Sequence, residues 1–392
     1  MLDSSRQQVT DSMASLIESK KEGEGSISAC VSGFSNTECE EIVSDFDEEG
    51  FAVIDIFNNR INNINYVMKL NLKDSKVDLY DKLKKTRINS DVVCQPSNEA
   101  NPKFPCQLIF LIEFSKEKTF TRVHLKKTES ARELIFEEQT TIDNQYTLNK
   151  VNFTVQHTEY EGYTGWPCET KGFGKNADGA YIFTTKTFRP EEPQIQSMKV
   201  AKGTVLEYQK SYQYEKSYLH IRKYQGIEFL EVETVINPTK RKLGINRLLH
   251  VKSSLDNTVQ IEGKEALPEF WTDSNALKMM RRIKDFRKSF DYKVTEPVAS
   301  NFYPMNFAIS IRDRLTKEYN ENDYMNLSTQ DSSLTVYNER PQSSGVMDKG
   351  EMMIMVQRDS KHDDHRGVGE PLFESSSNKV FFKVFHYISA SF

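Results

Sequence analysis

The chain has 392 residues, of which 37% are hydrophobic and 28% charged, and it carries a net charge of −5. That length exceeds what a single core organises, so two or three domains are expected. Acidic and basic residues are mixed along it without a basic stripe, which argues against a nucleic-acid partner, and no apolar run approaches the roughly 18–20 residues of a membrane helix.

The N-terminus, MLDSSRQQ, is polar and lacks the apolar stretch of a signal peptide. Residues 6–21 read as helix, because Val9, Met13, Leu16 and Ile17 recur at helical spacing without Gly or Pro, and KEGEGS then breaks the pattern. Cysteines follow in two close pairs, Cys30 with Cys39 and Cys94 with Cys106, leaving Cys168 over. Disulfides and buried free thiols both fit such spacing, and neither pair is the CxxC of a zinc ribbon. FAVIDIF (51–57) and QLIFLIEF (107–114) are β-branched and aromatic and read as strands, with the Pro/Asn-rich CQPSNEANPKFP (94–105) as a linker or long loop.

From about residue 145 the chain alternates. In VLEYQKSYQYEKSYLHIRKY (205–224) apolar and aromatic residues recur among charged ones, the period of a sheet with one solvated face. IEFLEVETVI (227–236), LTVYNE (334–339), EMMIMVQR (351–358) and VFFKVFHYI (380–388) continue it. One helical island is expected at NALKMMRRIKDFRKSF (275–290), capped by Ser274 after Asp273. Many strands at short spacing, with almost no βαβ alternation, predict a mainly β chain of sandwich architecture.

Residues 361–372, KHDDHRGVGEPL, are the densest in chemistry-bearing side chains. His362, Asp364 and His365 are candidate zinc ligands by type. Neighbours on an extended segment point to opposite faces, however, so at most His362 and Asp364 share a side. An acidic turn before Arg366 is the simpler reading. Glu231 and Glu233 share one strand face, expected to be solvated rather than a catalytic pair. Asp273 and Glu296 are a further carboxylate pair, with helix capping the simpler account of Asp273. No GxSxG occurs, Cys168 has no histidine near it in sequence, and RGVGEP lacks the GKS/T of a phosphate loop. The aromatic residues of 208–224 could stack on sugars, although an amphipathic strand explains them as well. Two sequons begin at Asn152 and Asn326.

Several segments together resemble the C-terminal half of a family 38 glycoside hydrolase, a class II α-mannosidase of lysosomal type. They are DGAYIF (178–183), IEFLEVET (227–234), EFWTDSN (269–275), EPVASNFYPMN (296–306), LTVYNERPQSSG (334–345) and DDHRGVGEPL (363–372), in the family's order. Upstream, CVSGFSNTEC (30–39) before FAVIDIFN (51–58) is similar to the family's short Cys-to-Cys loop, which implies a Cys30–Cys39 disulfide. The resemblance implies the end of a helical bundle over 1–25, a small β-sandwich over 26–125, and a large sandwich of galactose-mutarotase type over 126–392, incomplete at its C-terminus. It further implies retaining hydrolysis of terminal α-mannose on glycans, in the lysosome or secretory pathway, with zinc and two carboxylic acids supplied by an N-terminal α/β domain. No GHxHxDxGW-like segment is present, so the expectation is that no catalytic residue or zinc ligand lies in this chain, that His362, Asp364 and His365 are a decoy, and that the chain alone is inactive. Arg366, in the DDxRG run, and Tyr181, in GAYIF, match family residues near the sugar cleft. The alternative is a stand-alone sugar-binding or scaffolding sandwich.

Overall fold

The structure is a computed structural model. It describes residues 46–391 apart from 47, 58–63, 82, 84, 96–104, 115–119, 131–132, 165–176, 213–216, 237–243, 315–316, 321–330, 361 and 373–381. The expected helix at 6–21 and the Cys30–Cys39 pairing lie outside those residues. The chain divides into two compact units, one of residues 1–135 with 202–206, the other of 136–201 with 207–392. No helix among the described residues is long and apolar enough to cross a membrane.

The first unit is two three-stranded antiparallel sheets. Phe51–Phe57, Phe120–Lys127 and Val77–Tyr80 make one, and Ile64–Leu72, Cys106–Phe114 and Ser90–Cys94 the other. Side chains two apart on a strand share a face, so Ala52, Ile54 and Ile56 from one sheet meet Leu108, Phe110, Ile112 and Phe114 from the other in one buried cluster. Cys94 and Cys106 are opposite each other in register and form a disulfide. The Pro/Asn-rich stretch between them is therefore the connection of a hairpin rather than a linker between domains. Asp91, buried, accepts the amides of Thr204, Val205 and Leu206 at 2.9, 2.7 and 2.8 Å.

In the second unit the larger sheet runs, in hydrogen-bonding order, Thr258–Val259, Leu267–Ser274, Ala308–Asp313, Ser332–Asn338, Phe382–Ser391, Phe229–Ile236, Tyr218–Tyr224, Leu206–Tyr212, Ser197–Lys202 and Glu137–Glu138, with Lys278–Ile283 hung on Leu267–Ser274. The smaller sheet runs Phe302–Met305, Gln342–Gly345, Glu351–Asp359, Ile245–Ser253, Val151–Glu161 and Gln145–Leu148. Leu219, Ile221, Leu230, Val232, Val336 and Ile388 of the larger sheet pack with Phe153, Val155, Leu249, Val251, Met352 and Ile354 of the smaller one. That shared core is the sandwich that the strand spacing predicts.

Two expectations fail here. The helix at 275–290 is not formed: Lys278–Ile283 is a strand paired antiparallel with Leu267–Ser274. Asn275 and Ala276 both take left-handed backbone, φ 53° and 56°, and the Leu277 amide closes the turn on the Ser274 carbonyl at 3.0 Å. Such turns match the twist of paired strands, and that pairing overrides the helix preference of Leu, Lys, Met and Arg. Asp273 accordingly caps no helix. It accepts the amide of Ala276 at 2.9 Å and those of Phe307 and Ala308 at 2.7 and 2.9 Å, tying two turns together. The second failure concerns the face that carries the polar residues of the strands Tyr218–Tyr224 and Phe229–Ile236, which is not solvated: Tyr208 of the neighbouring strand, His220, Arg222, Tyr224, Glu231 and Glu233 are all buried.

Candidate functional site

The site lies where the DGAYIF and DDHRG segments meet, and Asp178 is its centre. Asp178 is 2% exposed. One of its oxygens accepts the Thr184 amide at 3.0 Å and the Arg358 guanidinium at 2.8 Å. The other accepts Asn246 Nδ2 at 2.9 Å and the Ser360 hydroxyl at 2.7 Å. All four partners donate, so the carboxylate is saturated as an anion. Arg358, at the end of Glu351–Asp359, also donates to the carbonyls of Gly179 and Ile182, both at 2.7 Å, and to Asn246 Oδ1 at 3.2 Å. Asn246 sits on the neighbouring strand of the smaller sheet, opposite Arg358 in register. The sheet thus supplies a rigid base, and Asp178 with Arg358 pins the 178–184 loop on it.

Asp364 makes the second pin. Its Oδ2 accepts the amides of Tyr181 and Ile182 at 2.6 and 2.9 Å, and its Oδ1 that of Arg366 at 3.1 Å. A side chain at Gly179 would place its Cβ 2.6 Å from the Asp364 Cβ, so only glycine allows this approach. Burial pushes the Asp364 carboxyl up, but the three amides and Arg358 outweigh it and hold it below the usual aspartate value. One carboxylate therefore sets the backbones of Tyr181 and Arg366 side by side. Tyr181 is 67% exposed, and Arg366 is exposed as well.

The histidines of this run do not converge on Asp364. His362 is exposed. His365 holds a left-handed φ of 56°, and its Nδ1 lies 3.3 Å from Asp363 Oδ2 at the surface. Asp364, the shared ligand such a site would need, has both oxygens occupied by backbone amides. Among the described residues no group of three or more His, Cys, Asp or Glu side chains is placed to hold a metal ion, the zinc that the resemblance implies included.

Because the folded Asp364 value lies below the unfolded one, its contribution to stability is complete above the ordinary aspartate value of about 3.9 and is lost as pH falls through the folded value. Asp364→Asn is therefore expected to be clearly less stable than the parent in denaturant melts at pH 6, with the gap closing toward pH 3. An equal gap at both pH values would refute the assignment.

Other residues singled out by the sequence have different surroundings. Glu231 and Glu233 are not on a solvated face but flank the buried Arg222, and of the aromatic residues of 208–224, Tyr208, Tyr218, His220 and Tyr224 are buried with them, Tyr212 is half-buried and Tyr214 lies outside the described residues. Cys168 and Asn326 lie outside the described residues. Sequence reasoning missed Asp178, Arg358, Asn246 and Ser360. Asp178 could have been found from its place before a glycine in a quoted motif. The others read as ordinary strand residues.

Two packed antiparallel sheets, with surface loops pinned by buried carboxylates, define a β-sandwich protein. Residues 132–366 match the family model described as the glycosyl hydrolases family 38 C-terminal domain, and the chain belongs to that family. It is 30% identical over 234 residues to an alpha-mannosidase of Arabidopsis thaliana, covering 58% of this chain and 20% of that protein. It is 31% identical over 205 residues to the lysosomal alpha-mannosidase of Homo sapiens, covering 51% and 18%. The crystal structure of an alpha-mannosidase from Enterococcus faecalis V583 aligns with 88% of this chain and 43% of its own at 11% identity, with a TM-score of 0.47. The match thus spans about a fifth of the length of these curated relatives.

Proposed function

We propose that this chain is the sandwich part of an α-mannosidase that removes terminal α-mannose from glycans in the lysosome or secretory pathway, working with an α/β domain that carries the acid, the nucleophile and the zinc. Tyr181 and Arg366 are its contribution to the sugar cleft. A guanidinium there hydrogen-bonds sugar hydroxyls or the catalytic carboxylates in a forked geometry that lysine cannot reproduce. The Tyr181 ring offers a flat apolar face to a pyranose. The carrying observation is the single Asp364 carboxylate that bridges the Tyr181 and Arg366 amides. A pair meant to meet the same sugar needs such fixed backbones. Zinc has no ligand set among the described residues.

The test pairs the chain with a family 38 catalytic domain and follows hydrolysis of an aryl α-mannoside. Arg366→Ala is expected to lower kcat/KM about a hundredfold, in line with the loss of a charge-assisted hydrogen bond or two in a dry cleft, with Arg366→Lys recovering little. Unaltered kinetics in Arg366→Ala would remove this residue from the cleft. The chain alone is expected to show no turnover, and measurable zinc-dependent hydrolysis by it would refute the division of labour. Saturable calorimetric binding of mannose oligosaccharides by the chain alone would favour a stand-alone binding module instead.

A further inference from the structure

A second constellation, independent of the reading above, is built by the Leu267–Ser274/Lys278–Ile283 hairpin and the EPVASNFYP segment. Arg282 stands opposite Phe270 in the hairpin, and its guanidinium lies 4.3 Å from the centre of the Tyr303 ring. Arg287 lies 5.2 Å from the same ring and 4.6 Å from that of Tyr292. What brings Arg287 back toward Arg282 is the tight turn bridged between Ile283 and Phe286, with Asp285 in left-handed backbone at φ 53°. The buried Asn301 locks that turn. It accepts the Asp285 amide at 2.9 Å and donates to Asp285 Oδ1 at 2.7 Å and to the Pro297 carbonyl at 2.9 Å.

Both arginines are held by neutral groups. Arg282 Nε donates to the Thr272 hydroxyl at 3.3 Å, and Arg287 donates to the carbonyls of Phe286 and Ser300 at 2.8 and 3.0 Å. Among the described residues neither has a carboxylate partner. Asp285, the acid in the intervening turn, pairs with Lys284 at 3.3 Å. The adjacent Arg281 shows the contrast, because it is neutralised by the buried Glu269. Two half-buried guanidiniums sharing one tyrosine ring repel each other. Burial and Arg287 together hold Arg282 below its ordinary value, with only Tyr303 opposing them. Such a doubly positive, rigidly held and partly open cradle is disfavoured unless an anion completes it.

We propose that Arg282, Arg287, Tyr303 and Tyr292 form a binding site for a phosphomonoester. Two uncompensated cations match a dianion, guanidinium forks fit phosphate oxygens, and the tyrosine faces take the ring that carries the ester. All four side chains are partly exposed, so a ligand from solution can reach them.

The experiment titrates the full chain by calorimetry with inorganic phosphate and, separately, with glucose 6-phosphate. Saturable binding is expected for both, tighter for the sugar phosphate. Arg282→Gln and Arg287→Gln should each weaken it about tenfold or more, the worth of one charge-assisted hydrogen bond. Acetate at equal concentration should not compete. Circular dichroism checks that the variants fold. Should either glutamine variant fail to fold, the lysine variant replaces it, and it should lose affinity while keeping charge. Phosphate binding with no preference for the sugar ester would overturn the role of the tyrosines. Absence of saturation in the parent at concentrations on the order of 10 mM, equal affinity in the arginine variants, or effective competition by acetate would each overturn the site.

Discussion

Replacing Asp178 with alanine is expected to destabilise the second unit by about 3–5 kcal/mol, the cost of removing one partner of a buried ion pair. Four donors lose their acceptor at once: the Thr184 amide, Arg358, Asn246 and Ser360. Arg358 keeps the Gly179 and Ile182 carbonyls but faces no carboxylate at that position. Asn246 and Ser360 are buried, so water cannot replace the lost acceptor without entering the sandwich. Asp178→Asn should be nearly as damaging, since its amide group turns two more donors toward groups that already donate. Trp271 is buried in the second unit, so its emission during urea unfolding reports on that unit. A loss below about 1 kcal/mol, the worth of one ordinary hydrogen bond, would show that Asp178 does not pin the loop.

The same residue shows what the sequence could and could not reveal. Strand alternation was legible: Ala52, Ile54 and Ile56, or Leu108, Phe110 and Ile112, announce their buried face by period alone. The DGAYIF and DDHRG runs were legible as motifs because residues of unusual type are grouped in them. Their mutual contact was not, since Asp178 and Asp364 are far apart in sequence and only the fold makes Asp364 the acceptor for Tyr181. A carboxylate that serves backbone amides has the same sequence signature as one that serves a metal. Lys278–Ile283 was illegible for a different reason. Its residues prefer helix, and what overrides them is a hairpin partner together with two left-handed residues, Asn275 and Ala276, of which alanine gives no warning.

Glu231 and Glu233 were legible as a pair on one face, but the environment of that face was not. The difference carries the second large prediction. Arg222, on the adjacent strand, donates to Glu231 Oε1 at 2.9 Å, to Glu233 Oε2 at 2.5 Å and to the Tyr208 hydroxyl at 2.9 Å. The His220 ring stacks on Tyr218 at 4.3 Å, and its Nδ1 is 2.7 Å from the Tyr208 hydroxyl. Tyr224 donates to Glu231 at 3.3 Å. Burial works against the charge on Arg222, but Tyr208, Glu233 and Glu231 outweigh it and hold the guanidinium protonated. Arg222→Met keeps an unbranched apolar stem and removes the charged guanidinium, leaving two buried carboxylates without their cation. Loss of at least about 3–5 kcal/mol is expected, because like charges then remain without their cation. Restoring neutrality should recover most of it: in an Arg222→Met, Glu231→Gln, Glu233→Gln triple variant the penalty should shrink well below that of the single variant, because no unpaired charge is left. Urea midpoints of the two proteins decide the matter. If the triple variant is as unstable as the single one, the cluster is held by shape and hydrogen-bond geometry rather than by charge.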